Sequence, residues 1–284
     1  MAGNRPPIPA NIKREVRQRC GFGCVICGLP LYEYEHIEGY ARVQRHVAGE
    51  ITLLCDRHHR EKTAGLLPAE QVTRADSAPF NRRTGASTSY SLNYSGPVCS
   101  ATIGSNEMTA ATNSDFVAVM VDDQPLVGFR FEDEHYLLNI SLFDATNELV
   151  LSISDNELVY SVDPWDVELV GTRLIVRVAS RNIFIDIRFE PPSGIHLERG
   201  RMLFNGVELL IHPEYLLVVN NAGLLQRCGF GNCVVALNVG RNSRPLPSGI
   251  RMPRVPRYEI DRAAAISWAR EQIESSGGDP GGLT

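Results

Sequence analysis

Two short runs constrain this chain more than any other part of it. Cys24 and Cys27 form a Cys-x2-Cys pair, and after a gap of 27 residues Cys55 and His58 form a Cys-x2-His pair. Three thiolates and an imidazole in that order are the ligand set a tetrahedral structural zinc prefers. The segment around them is too short to bury a self-sufficient core, so an ion that staples its halves takes the place of the missing apolar surface. His59 follows the second pair directly, and Glu35 and His36 lie between the pairs. A carboxylate and two histidines that the zinc does not need point to chemistry beyond stapling.

Local patterns place those groups on particular elements. Asn11 reads as an N-cap before IKREVRQRC, a helix with Ile12 and Val16 on one face. Tyr32, Tyr34 and His36 alternate with Glu33 and Glu35, which is a strand period, and Ile51 to Leu54 supplies the returning strand. From Cys55 the run DRHHREKTAGLLP predicts a helix that ends near Gly65 and Pro68.

The segment CGFGCVICGLPLYEYEHI, followed by EITLLCDRHHREKT, resembles an HNH nuclease of the zinc-bound ββα-metal type over roughly residues 10–68. The resemblance implies an endonuclease that hydrolyses phosphodiester bonds of DNA. By position it makes His36 the general base and Glu35 and His59 the ligands of a catalytic ion. It also makes Cys24, Cys27, Cys55 and His58 the holders of a structural zinc. An oxygen and nitrogen pair at the second site suits Mg²⁺ or Mn²⁺. Glu50 stands where the family usually has an asparagine that orients the base. A carboxylate there can accept from the imidazole, but it adds negative charge near a phosphate. Glu35 replaces a shorter aspartate. Arg42, Arg45, Arg57, Arg60 and Lys62 are candidates for phosphate contacts.

Charge and composition divide the remainder. Residues 1–83 carry 13 Lys and Arg against 9 Asp and Glu, within a chain of 284 residues and net charge −5. The expected order is a basic HNH nuclease domain over 1–75, a Ser, Thr, Asn and Gly-rich polar linker over 76–114, and an acidic all-β domain over 115–257. Alternating runs such as FVAVMV, LLNISLF, RLIVRVA and IFIDIRF, with turn signals at Asp155-Asn156 and Asn205-Gly206, fit either a solenoid or a sandwich. A helix from about Tyr258 to Glu274 should pack Ile260, Ala264, Trp268 and Ile273 on the sheet, ahead of a disordered tail that completes residues 258–284. The expected class is α+β: a small zinc-stabilised ββα-metal domain, an all-β domain and a C-terminal helix.

No run approaches the ~18 apolar residues of a membrane span, and MAGNRPPIPAN lacks the apolar region of a signal peptide. A cytoplasmic protein with no membrane partner is therefore expected, with Cys20, Cys99, Cys228 and Cys233 as free thiols. The expected partners are DNA for the nuclease domain, and a protein or a second copy for the β-rich domain, whose acidity argues against a second broad DNA-binding surface. From the way bacteria use such fusions, the resemblance extends to restriction or phage defence, with the β-rich domain giving recognition or regulation. The competing reading is a catalytically degenerate zinc-binding module that docks on nucleic acid or protein. Glu50 favours that reading, and the set of Glu35, His36 and His59 favours the enzyme.

Overall fold

The computed structural model describes residues 6–111, 113–257 and 260–277, and it is α+β, mostly sheet, with a C-terminal helix. The chain divides into two units. The first takes Met1–Tyr90, Val159–Leu169 and Val176–Arg181, and the second takes Ser91–Leu158, Val170–Ile175 and Asn182–Thr284. Among the described residues, no helix is long and apolar enough to cross a membrane.

In the first unit the helix Ala10–Cys20 follows Pro9 and stops at Gly21, which turns left-handed so that its amide closes on the last carbonyls. Asn11 lies inside this helix and does not cap it. Pro9 holds the entry position instead, because its ring presets φ for the turn. Val16 and Cys20 pack with Val25, Ile51, Leu53, Leu54 and Val72 in one core. Strand Glu33–His36 pairs antiparallel with Ile51–Leu54, setting Glu35 opposite Thr52 and His36 opposite Ile51. The helix Asp56–Thr63 begins immediately after Cys55, and Gly65 lies just beyond its end. Behind the first cysteine pair, Phe80–Thr84 forms a short helix. It packs so closely that a Cβ on Gly28, at φ +76°, would stand 2.3 Å from the Asn81 Oδ1.

The later segments of this unit bring a buried ion cluster to the first helix. Arg17 donates Nε and Nη2 to Asp166 at 2.9 and 2.7 Å, and Nη1 to the Tyr34 hydroxyl at 2.8 Å. Glu168 lies 3.0 Å from the same Nη1, and Arg177 donates to Asp166 at 3.0 Å. Asp166 is fully buried and Arg17 is 2 % exposed, so a charge pair is held out of water. Tyr34 precedes Glu35 on its strand, and the cluster thereby fixes the strand that carries the candidate site.

The second unit is built of antiparallel hairpins joined by a few parallel pairings. Phe116–Val121, Gln124–Glu132, His135–Phe143 and Leu149–Ser154 run up and down in order. Asn182–Glu190, Gly194–Phe204, Val207–His212, Tyr215–Val218 and Gly223–Leu225 do the same. Turns at Asp122-Asp123, Asp133-Glu134, Asp155-Asn156 and Asn205-Gly206 each have two consecutive residues at positive φ, the two-residue hairpin turn that matches strand twist. Gly194–Phe204 pairs parallel with Cys99–Ile103, and Val235–Val239 lies between parallel neighbours Phe116–Val121 and Ser248–Met252. This hairpin-dominated pattern departs from the solenoid alternative, whose coils stack in parallel. Gly200, at φ +129°, bends the longest strand where a Cβ would meet the Phe184 carbonyl oxygen at 2.3 Å.

Two expectations need correction, on residues 76–114 and on the C-terminal helix. Residues 76–114 are not a featureless linker, since Phe80–Thr84 is helical and Cys99–Ile103 pairs with Asn106–Ala110 as a hairpin burying Cys99, Ala101, Ile103, Met108 and Ala110. Small and polar residues there concealed a period of two. The Pro- and Arg-rich stretch after Val239 contains the strand Ser248–Met252. The C-terminal helix is Arg262–Ser275, capped by Asp261, and it buries Ala265, Ile266, Ala269 and Ile273 against Tyr215, Leu217 and Val219. Ile273 is buried and Ile260 packs against the same cluster as expected, whereas Trp268 and Ala264 lie on the exposed side and Ala265, Ile266 and Ala269 take their place. Tyr258, the expected first residue of that helix, lies outside the described residues, as does the tail over 278–284.

Candidate metal centre and the neighbouring acidic site

Each ligand of the expected zinc reaches its place through a local device. Gly28 donates its amide to the Cys24 carbonyl at 2.7 Å and Cys24 donates to the Leu29 carbonyl at 3.0 Å, closing the loop that aims both sulfurs one way. Val25 donates to Leu53 at 3.0 Å and ties that loop to the second strand. Cys55 ends the strand and His58 lies one turn into the helix, so the second pair arrives from the opposite side.

The four ligand atoms of Cys24, Cys27, Cys55 and His58 all lie within 4.8 Å of one another. Cys27 Sγ and Cys55 Sγ are 3.7 Å apart, and His58 Nδ1 lies 3.3 Å from Cys24 Sγ and 3.2 Å from Cys55 Sγ. Zinc with bonds of ~2.3 Å to sulfur and ~2.0 Å to nitrogen requires tetrahedral edges of ~3.8 and ~3.5 Å. The cluster fits that frame and can hold a metal ion such as zinc. Hydrogen bonding from the Cys27 thiol draws the Cys24 thiol down to about 4, while the same bond pushes Cys27 up and burial pushes Cys55 up. Three sulfurs this close share protons unevenly, and a dication that replaces those protons lets all three be thiolates. Cys20, four residues earlier, is pushed up to about 12 by burial and stands apart from the cluster as an inert thiol.

A second group lies across the hairpin and the helix. Glu35 Oε2 lies 3.1 Å from His59 Nε2, and Glu33 Oε2 lies 3.7 Å from the same nitrogen. The Glu35–His59 separation is that of a direct carboxylate–imidazole contact across the hairpin and the helix. Lys62 donates to Glu35 Oε1 at 2.6 Å and to the His36 carbonyl at 3.0 Å, clamping helix to strand. Glu33 was missed as a member of this group, and Lys62, expected to meet phosphate, is instead bonded to Glu35. Glu33 was legible, since a strand period of two puts it on the same face as Glu35.

His36 and Glu50 are placed differently. His36 follows Glu35 in the strand and so points to the other face. Its ring is 1 % exposed, and its Nε2 lies 3.1 Å from the Arg45 carbonyl and 3.2 Å from His46 Nδ1, with Tyr40 edge-on at 5.1 Å. Glu50 accepts from Arg45 Nε at 3.1 Å and from its Nη2. That bonding, together with the Arg45 and His36 charges, holds the Glu50 carboxyl below the usual carboxylate range. Arg45 is thus the side chain on which Glu50 acts most strongly. The other basic candidates are also committed, Arg42 to Glu38, Arg57 to Glu61 and Arg60 to Asp56, each one helical turn away.

Comparison with family models, curated proteins and solved structures returned no match to this chain.

Proposed function

We propose that the first unit is a metal-dependent endonuclease module of the HNH type that hydrolyses DNA phosphodiester bonds. The observation that carries this reading is the convergence of Glu35 and His59 at 3.1 Å, on a hairpin and helix joined by a Cys3His cluster. Mg²⁺ or Mn²⁺ held by these two residues would polarise the scissile phosphate and stabilise the leaving oxygen. Glu35 Oε2 and His59 Nε2 would hold the ion, while Lys62 orients Glu35 through its other oxygen. His36 is the base by its position in the motif. To take a proton from water, its Nε2 must be released by the Arg45 carbonyl and by His46, which requires the segment around residues 39–46 to yield when substrate binds. Glu50 contributes by holding Arg45.

The burial of His36 favours a second reading, a degenerate zinc module that binds nucleic acid or protein without cutting. Plasmid cleavage with Mg²⁺ or Mn²⁺ separates the two. His36→Ala and His59→Ala should each lose about 10²-fold or more in rate with zinc content unchanged, because a positioned base alone contributes that much. Full activity in His36→Ala removes it as the base. A wild type silent with every ion, restored by Glu50→Asn, establishes the degenerate reading.

A further inference from the structure

The acidity of the β-rich unit is not uniform. Its residues 91–158, 170–175 and 182–239 contain 6 Arg against 16 Asp and Glu, whereas residues 240–257 contain five Arg and no acidic residue. Their surroundings in the fold differ from those of the arginines beside the candidate nuclease site. Arg241, Arg244, Arg251 and Arg254 are exposed, and among the described residues none of the four has a carboxylate within ion-pair distance. Arg257 alone is paired, with Asp122 at 2.8 Å.

The segment is built to present these charges. Asp122 accepts from the Arg241 amide at 2.8 Å, and Asp123 accepts from the Ser243 amide at 2.7 Å and from Asn242 at 3.1 Å. The two acids anchor the backbone of the loop. The Ser243 amide first, and the Arg244 charge among lesser causes, hold the Asp123 carboxyl below its usual range. The strand Ser248–Met252 then pairs along Val235–Val239, and the Gly240 amide donates to Met252 at 2.8 Å, which brings Arg241 beside the run that follows. Arg251 lies in that strand, and Arg254 and Arg257 follow it in the run where Pro253 and Pro256 restrict the backbone. Arg241, Arg254 and Arg257 line one groove of about 330 Å³ with Pro253, Val255 and Pro256.

We propose that this groove, together with the exposed Arg244 and Arg251 on the same segment, is a binding surface for the phosphate backbone of nucleic acid. Four exposed guanidinium groups without a carboxylate of their own, on a segment whose one paired arginine is Arg257, fit a polymer charged at every repeat, and the planar fork of arginine suits phosphate oxygens better than a lysine would. The inference extends the nuclease reading by giving the β-rich unit a share in holding the substrate, against the expectation drawn from its overall acidity. Binding and cutting are separable, so its test is made without the reaction.

The experiment measures binding of a fluorescent mixed-sequence DNA duplex to the full chain, with no added divalent ion and no chelator, over a series of salt concentrations. The variant carries Arg241→Ala, Arg244→Ala, Arg251→Ala and Arg254→Ala together, with folding checked by circular dichroism. Each lost phosphate contact flattens the dependence of log affinity on log salt by about 0.9, so the slope should fall by about 2 to 4. If the fourfold variant does not fold, the single exposed change Arg254→Glu should weaken binding and flatten the slope on its own. Wild-type affinity and slope in a folded variant overturn the proposal. So does a polyglutamate peptide that competes as well as DNA and is equally sensitive to the variants, since the groove would then be a site for acidic protein segments. A wild type that binds through these arginines but never cuts refutes the nuclease reading and leaves this one standing.

Discussion

Asp166→Asn tests whether the candidate site depends on a charge pair far away in sequence. The change keeps the side chain's shape and removes its charge, leaving the Arg17 guanidinium, with 3 % of its side chain exposed, beside an amide. Glu168 remains 3.0 Å away but is more than a quarter exposed, so it offsets the loss in part. Removing one partner of a buried pair costs about 3–5 kcal/mol, and Glu168 places the expectation near the lower end, at about 3 kcal/mol. At ~4 °C per kcal/mol for a unit of this size, the melting midpoint should fall by about 12 °C. Differential scanning fluorimetry on the full chain reads this directly. Arg60→Ala, which breaks an exposed pair with Asp56, is the control and should hardly move the midpoint. Because Arg17 also holds the Tyr34 hydroxyl, cleavage by Asp166→Asn should fall while zinc content stays at the wild-type level. A midpoint within about 0.5 kcal/mol of wild type, in the range of ordinary surface changes, refutes the claim that this cluster holds the hairpin.

Protein purified without chelator should contain about one zinc per chain, and Cys27→Ser should lose it together with hydrogen-exchange protection at Val16 and Leu53; a protected, metal-free unit refutes the stapling argument. In the second unit, burial acts to raise the Asp186 carboxyl, but hydrogen bonds from Arg173 and Arg199 prevail and hold it below its usual value. A depressed carboxylate contributes stability above its unfolded value of about 3.9 and loses it as pH falls through the lower folded value. Urea midpoints should therefore drop more steeply below about pH 4 in the wild type than in Asp186→Asn, and parallel acid limbs would refute the assignment.

The Cys3His cluster was legible because its spacing is local: two pairs, each within one turn of chain, leave few geometries open. The hairpin was legible through the alternation of Tyr34 and His36 with Glu33 and Glu35. What sets the condition of the site was not. Asp166 lies 149 residues from Arg17, and nothing in either neighbourhood marks the pairing. His36 reads the same whether its ring faces solvent or lies under His46, because a strand period gives the face and not what covers it. The hairpin Cys99–Ile103 and Asn106–Ala110 was hidden by its small residues, Ala101 and Ala110 being apolar enough to bury but too small to signal a period. Turn chemistry showed at Asn205-Gly206 but not at Asp133-Glu134, where strand pairing on both sides imposes the backbone conformation.

The first unit's composition from three separated stretches governs how it can be made. Its Arg17 emerges from the ribosome long before Asp166, and at about 5–20 residues per second the anion follows roughly 7–30 s later. During that interval the Cys3His cluster can assemble, since Cys24, Cys27, Cys55 and His58 all lie within the first 58 residues, while Arg17 lacks its buried carboxylate. A gene fragment cut after the nuclease-like motif would preserve that half-finished state permanently. Transplanting the motif into another protein therefore requires the strands that follow Tyr160 as well, and activity screens on the motif alone would assay a different molecule.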